Sequence, residues 1–388
     1  MKDRTLLMIP GPIEFEPDVL QALGAPTTSH VAPEFIEAFG QALERMRKVW
    51  LCPSGQPFVV AGSGMLALEM AVVNLIEPGD KALVLETGVF GNRYAELLAR
   101  YGAEVTVLRA PLGSTVDLEQ TEAALQDASY KLMTLTHVDT STGVRVDAKA
   151  LGVLGRKYGV LTVLDGVCSV AGEELRQQEW GLDVALTASQ KAIGVPPGLA
   201  LLMVGPQAMA AWRARKTSVS NYYADWSNWL PVMEAYEARQ PSYFGTPPVN
   251  LICALNVSLE QILGEGMEAR FVRHRKLGEA CKAAISALGM SQVPTDPAHA
   301  AATLTASYYP EGVTGTELLP KVKAAGAILA GGLYPEIKDR YFRIGHMGAT
   351  KPGDLLATIG ALEAGLHACG YTFDLSIGVA AAQRVLLS

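Results

Sequence analysis

From about residue 55 the chain alternates short, fully apolar runs with amphipathic stretches: FVVAG, MLALEMAVVNLI, KALVLE, RYAELLARYG and EVTVLRA follow in that order. Short runs rich in Val, Leu and Ile read as buried strands, and stretches with apolar positions three and four apart read as helices lying on them. The alternation continues through YKLMTLTHV, KALGVLGRKYG, VLTVLDGV, DVALTAS and LALLMVG. Together these predict an α/β fold with a large, mainly parallel seven-stranded sheet between Phe58 and Gly205, covered by helices.

After Gly205 the pattern changes. An aromatic-rich stretch, SNYYADWSNWL, leads into PSYFGTPPVN and then into helical patterning from Leu251 to about Leu288. A smaller C-terminal α/β domain is expected to begin near Gly264, with strands in AATLTASYY and YFRIGHM and the helix GTELLPKVKAAG between them. The expected division is an N-terminal arm over 1–16, a large domain over 17–264 and a small domain over 265–388.

Composition narrows the partners. The 388 residues are 49% apolar and 18% charged with net charge -7, and no basic stripe marks a nucleic-acid or anionic-lipid surface. Small molecules are therefore the expected ligands. Five scattered cysteines, Cys52, Cys168, Cys253, Cys281 and Cys369, form no CxxC pair, which speaks against a disulfide framework or a zinc site and for a reducing compartment. MKDRTLLMIPGP is too short an apolar stretch for a signal peptide, no run reaches membrane-spanning length, and LLS is no peroxisomal tail, so a cytoplasmic location is expected.

In open α/β sheets, ligands gather at the carboxyl ends of the strands. After FVVA comes Gly62-Ser63-Gly64-Met65 and then a strong helix, whose free N–H groups suit a phosphate. The same residues also make an ordinary tight turn. They are not the dinucleotide fingerprint, because Ala67 stands where its third glycine belongs. After VLTVL comes Asp165, and LTASQKAIGVPPG places Lys191 after a further apolar run. Alone, Lys191 reads equally as a loop residue with its stem on apolar surface, and Asp165 as a helix cap. Paired, they suggest more: a partly desolvated amine forms a Schiff base with a carbonyl, and a buried carboxylate keeps a pyridine nitrogen protonated so that the ring accepts electrons. The pair points to pyridoxal 5'-phosphate.

With these motifs, from Pro10-Gly11-Pro12 to the RIGHMG of Arg343–Gly348, the chain resembles the class V, fold-type I aminotransferases that use pyridoxal phosphate, and within them the alanine–glyoxylate and serine–pyruvate branch. The resemblance assigns Ser63, Gly64 and Met65 to the cofactor phosphate, although many relatives carry Thr at the position of Met65. It makes Phe90, in ETGVFGNR, the aromatic stacked on the pyridine ring; unaided, Phe90 reads as core. HVDTSTG, His137 to Gly143, resembles the loop that approaches the cofactor's phenolic oxygen and the substrate, with Thr142 the expected contact ahead of Thr140 and Ser141. Asp165 becomes the pyridinium partner, Gln190 the amide reaching toward the phosphate, and Lys191 the Schiff-base lysine and acid–base catalyst. In YFGTPPV, Tyr243 and Thr246 become phosphate ligands of the neighbouring subunit, which implies a homodimer with shared sites. Arg343 becomes the clamp on the substrate carboxylate, whereas by itself it reads as a surface strand residue. Gly11 is expected near the substrate.

The resemblance implies transamination of a small amino acid, alanine or serine, with glyoxylate or pyruvate as acceptor, because no second arginine is evident for a distal carboxylate. His30 and the Tyr222–Trp229 segment leave open a larger polar donor such as ureidoglycine, and His30 as a base leaves open a lyase on the same fold. A cysteine desulfurase would need a cysteine on a small-domain loop, and there is none from Lys282 to Ala368.

Overall fold

The computed structural model describes residues 5–388. Its centre is a seven-stranded sheet with the order Gln56–Ala61, Leu199–Val204, Val184–Ala188, Leu161–Asp165, Leu132–Thr136, Lys81–Glu86 and Glu104–Arg109. All pairings are parallel except those of Leu199–Val204, which runs against both its neighbours. The strands Leu132–Thr136, Val184–Ala188 and Leu199–Val204 are buried throughout. This is why the sequence shows continuous apolar runs there instead of alternation. Glu104–Arg109 closes one edge and is largely exposed, with charged residues at both its ends.

Helices begin where the sequence supplies a cap. Asp117 accepts the N–H of Gln120, Asp147 that of Ala150 and Asp225 that of Ser227 at the heads of the helices Leu118–Asp127, Ala148–Tyr158 and Trp226–Glu237. The long helical pattern after Leu251 resolves into two helices, Val249–Glu265 and Met267–Ala287, broken at Gly266, whose φ of +84° suits glycine.

A second core gathers Leu277, Cys281, Ile285, Leu318, Val322, Phe342, Ile344, Ile359 and Leu362, beside a three-stranded sheet in which Tyr341–Gly345 lies between Ala330–Gly331 and Leu304–Tyr308. The helix Met267–Ala287 passes from one core to the other: Met267 and Phe271 pack in the large core, Leu277 onward in the small one. The N-terminal segment also touches both. Leu6–Leu7 pairs with Ala327–Ile328, Met8 belongs to the small core and Ile13 to the large one. Among the described residues no helix is long and apolar enough to cross a membrane.

Candidate active site

The shared direction of the parallel strands brings five loops to one edge of the large sheet: 62–65, 87–90, 137–143, 165–168 and 189–191 follow the strands 56–61, 81–86, 132–136, 161–165 and 184–188. Sequence positions more than a hundred residues apart become neighbours there.

At one end of this edge Ser63 precedes the helix Gly64–Leu75 and makes no side-chain cap, so the first N–H groups of the helix stay available. Gly64 sits close under the next loop, where a β-carbon would lie 3.1 Å from Val167 and 3.4 Å from Ala188. Met65 is exposed, and an Nη of Arg93 lies 3.4 Å from its sulfur. The Gln190 Oε1 is buried without a hydrogen-bond partner. Tyr223, which the sequence reading left among its unassigned aromatics, donates its hydroxyl to the Ala61 carbonyl next to this turn, at 3.1 Å.

Asp165 ends its strand fully buried, one oxygen accepting the Val167 N–H at 2.9 Å. Burial pushes its carboxyl up from 3.8 to about 7, with the nearby Asp139 adding to the rise and Lys191 and Arg93 opposing it. A carboxylate held in this way calls for a cationic partner, as a pyridinium nitrogen would provide. Lys191 is 9% exposed and donates to the Pro10 carbonyl. The adjacent Gly11, at φ +120°, leaves the room in which its side chain lies.

The 137–143 loop is organised by Asp139, a residue the sequence reading passed over. Its carboxylate accepts the N–H and hydroxyl of Ser141 and, through the other oxygen, the Phe90 N–H at 3.0 Å, while Ser141 Oγ accepts the Val89 N–H at 3.0 Å. The start of the helix Val89–Arg100 is thereby fixed, and Phe90 with it; the Arg93 guanidinium stands over the Phe90 ring at 4.9 Å. The D-x-S pattern of a side chain closing its own turn was the available signal. Thr142 is fully buried, its hydroxyl donating to the Thr87 carbonyl at 3.1 Å and accepting the Val144 N–H at 3.3 Å, so it shapes the loop from beneath. Thr140 instead meets Cys168, Oγ1 to Sγ 2.7 Å. That thiol, three residues after Asp165, is a second residue the sequence reading did not place here.

Arg343, on the strand Tyr341–Gly345, donates to the carbonyls of Gly331 at 2.9 Å and Thr140 at 3.1 Å, and burial lowers its pKa from the usual guanidinium range. Next to it the Tyr341 hydroxyl donates to the Ser141 carbonyl, docking the small unit on the same loop. A continuous line of contacts thus runs Lys191, Pro10, Cys168, Thr140, Arg343. Tyr243 and Thr246 stand apart from it. Tyr243 is 63% exposed, its hydroxyl 3.4 Å from Thr246 Oγ1 and its ring 5.4 Å from that of His30. Among the described residues no hydrogen bond joins either to Ser63, Gly64, Gln190 or Lys191 of the same chain.

The pattern of a buried lysine, a buried strand-end carboxylate and an open helix N-terminus agrees with the comparisons to known proteins. The family model described as aminotransferase class-V matches residues 19–333. The alanine–glyoxylate aminotransferase 1 of Saccharomyces cerevisiae is 39% identical over 357 residues, covering 89% of this chain and 92% of its own. The L-aspartate–glyoxylate aminotransferase of Paracoccus denitrificans is 31% identical over 389 residues, covering 99% and 96%. Among solved structures, the ureidoglycine–glyoxylate aminotransferase of Bacillus subtilis superposes with a TM-score of 0.92 at 26% identity, over 100% of this chain and 99% of the other. The chain belongs to the class V aminotransferase family and is a pyridoxal-phosphate enzyme of fold type I.

Two outcomes follow from this geometry. A methyl at Gly11 would fall 2.5 Å from Lys191 Nζ and force a side chain into φ +120°. Gly11→Ala should therefore slow the growth of borohydride-reducible visible absorption after pyridoxal phosphate is added to cofactor-free protein, by about tenfold or more for a displacement near 1 Å. A native rate would show that Lys191 does not depend on this clearance. For Asp165, a carboxyl raised by folding binds its proton more tightly folded than unfolded, so its contribution to stability is lost as pH rises from 3.8 to about 7. Cofactor-free Asp165→Asn, which cannot ionise, should melt increasingly above the cofactor-free native chain across that interval, the gap then levelling. A gap independent of pH would mean that Asp165 is ionised throughout.

Proposed function

We propose that the chain transfers the amino group of a small amino acid, alanine or serine, to glyoxylate or pyruvate. The observation that carries this reading is the line of contacts from Lys191 to Arg343, which puts one amine and one carboxylate-binding guanidinium at the two ends of a short, enclosed path. The bound cofactor supplies an electrophilic carbonyl and an electron-accepting ring. The chain supplies everything else.

Ser63, Gly64 and Met65 would hold the phosphate end through backbone N–H groups, and Gln190 through the NH2 of its side-chain amide. Asp165 would hold the ring nitrogen of the bound cofactor and keep it protonated, and Phe90 would pack against the ring. Arg343 takes the substrate carboxylate in a forked pair of charge-assisted hydrogen bonds, which orients the Cα–H bond toward Lys191. Lys191 Nζ would hold the carbonyl end of the bound cofactor, and as a free amine beside the substrate it would accept the Cα proton and return it. Thr140 and Cys168 line the path between Lys191 and Arg343.

A larger polar donor such as ureidoglycine is the second reading. It is favoured by the likeness to the Bacillus subtilis enzyme that carries that name and by the half-buried His30 packed against the exposed Tyr243. Tyr243 and Thr246 are proposed to complete the site of a second copy, in a homodimer: both are exposed, and among the described residues neither hydrogen-bonds its own chain's Ser63 turn. A cytoplasmic location is part of the same reading, in keeping with five cysteines that are all free.

Borohydride reduction and peptide mapping should label Lys191, and single-turnover absorbance changes should run faster with alanine or serine than with aspartate, glutamate or cysteine. A faster reaction with aspartate would move the donor class, and a label on another lysine would sink the assignment. The shared site is tested by mixing inactive Lys191→Ala with inactive Tyr243→Phe/Thr246→Ala. With ligands acting across subunits, each heterodimer has one native site and activity returns; verified heterodimers without activity would remove both residues from the site.

A further inference from the structure

The first two turns of the helix Met267–Ala287 lie behind the site and bond the backbone of three segments that carry its residues. Arg270 is buried, 6% exposed, on the fourth residue of the helix. Its Nε donates to the Ala171 carbonyl at 2.7 Å, one Nη to the Ala192 carbonyl at 2.7 Å, and the other to Glu265 at 2.8 Å. Ala192 is the residue after Lys191. Ala171 ends the turn that begins at Asp165, and it holds φ at +63°, a left-handed conformation that a β-carbon disfavours and that the guanidinium contact helps to fix.

The same turns reach the strand of Arg343. His274 Nε2 accepts the Gly348 N–H at 2.9 Å, which places the ring proton on Nδ1, where it donates to the Arg270 carbonyl at 2.8 Å. Arg273 donates to the carbonyls of Gly348 at 3.1 Å and Thr350 at 3.0 Å. A lysine at 270 could satisfy neither the fork between two carbonyls nor the planar pairing with Glu265 at once.

We propose that Arg270 is a positioning residue for the transamination, its guanidinium locking the loop of Lys191 to the loop of Asp165 so that the amine and the carboxylate keep one fixed separation. It touches neither substrate nor cofactor. The inference rests on the reading of Lys191 as the cofactor-bearing lysine. Because Arg270 fixes the amine and the carboxylate clamp stands on another strand, its loss should act on turnover and leave substrate binding in place.

Arg270 also lines a cavity of about 330 Å³ together with Arg273, Glu265, Gly194 and Ser258, roomy enough to admit a guanidinium ion. This permits a direct test on the holoenzyme with alanine and glyoxylate. Arg270→Ala should lower kcat by about tenfold or more, the scale expected for a misplacement of about 1 Å, with KM for the donor within about threefold. It should also move the pH midpoint of the visible absorption of the bound cofactor, since the distance between Lys191 and Asp165 helps set it. Added guanidinium should restore part of kcat and return the midpoint. Arg270→Lys, which keeps a buried cation and the fold, should show the same pattern more weakly and gain nothing from guanidinium. An unchanged kcat and midpoint would overturn the proposal, as would a rise in KM alone. So would loss of folding in both variants, which would make the role purely architectural. Borohydride labelling in the native chain separates the two readings: a label elsewhere than Lys191 removes the site itself, whereas a label on Lys191 with unaltered Arg270 variants removes only this inference.

Discussion

A lysine nitrogen buried beside the carboxyl edge of a sheet must find an acceptor, since a buried donor left without one costs about 1–3 kcal/mol. Here the acceptor is the Pro10 carbonyl, in a segment far outside the sheet. Much of the architecture around the site follows from bringing that segment in. The Met8 carbonyl accepts the Gly345 N–H at 2.9 Å, beside the Arg343 strand, and the Ile13 N–H reaches the Gln190 carbonyl at 3.3 Å. Within six residues the N-terminal segment thus touches the strand of the proposed clamp, the proposed amine and the amide beside it. Gly11 lies in the middle because any side chain there would occupy the space of the lysine.

The opposite side of the edge is governed by a buried carboxylate. Asp139 spends its oxygens on Ser141 and Phe90, and burial raises its pKa. Its hydrogen bonds to N–H and hydroxyl groups work against that rise. The result is a loop tied down by its own side-chain hydrogen bonds, presenting the Thr140 carbonyl to Arg343 and the Ser141 carbonyl to Tyr341. Both small-domain contacts are made to backbone oxygens, so the two units meet through geometry that side-chain substitution in the loop alters only indirectly.

The fold was legible because buried parallel strands write themselves as uninterrupted apolar runs, and FVVA, KALVLE and VLTVLD each became a strand of the expected sheet. Lys191 and Asp165 could be picked out for the same reason, as polar residues at the ends of such runs. Cys168 could not, because its contact with Thr140 is made between two loops and no local pattern encodes it. Asp139 offered only the D-x-S turn it closes; its bond to the Phe90 N–H is invisible in the sequence. Arg343 is a half-way case: on an isolated strand it is an unremarked cation, and its meaning comes from the docking of that strand on the 137–143 loop. The break at Gly266 was hidden by helical periodicity continuing on either side of it.

These facts divide the chain's labour in a way that bears on specificity. The groups that would perform proton transfer and carboxylate binding lie inside one chain, Lys191 buried and Arg343 half-buried, and both hydrogen-bonded to backbone carbonyls. The aromatic groups between Tyr222 and Phe244 are of another kind. Phe244 packs against Trp229 with ring centres 5.0 Å apart and against Tyr222 at 5.4 Å, while Tyr222 and Tyr243 remain 78% and 63% exposed. Large apolar aromatic surfaces left open on a protein mark contact regions. If a second copy covers them, the walls that admit or refuse a donor side chain are built at the subunit interface, while the chemistry stays within the subunit. Change in donor preference can then proceed by substitutions at an interface that tolerates repacking, without disturbing Lys191, Asp165 or the loops that hold them.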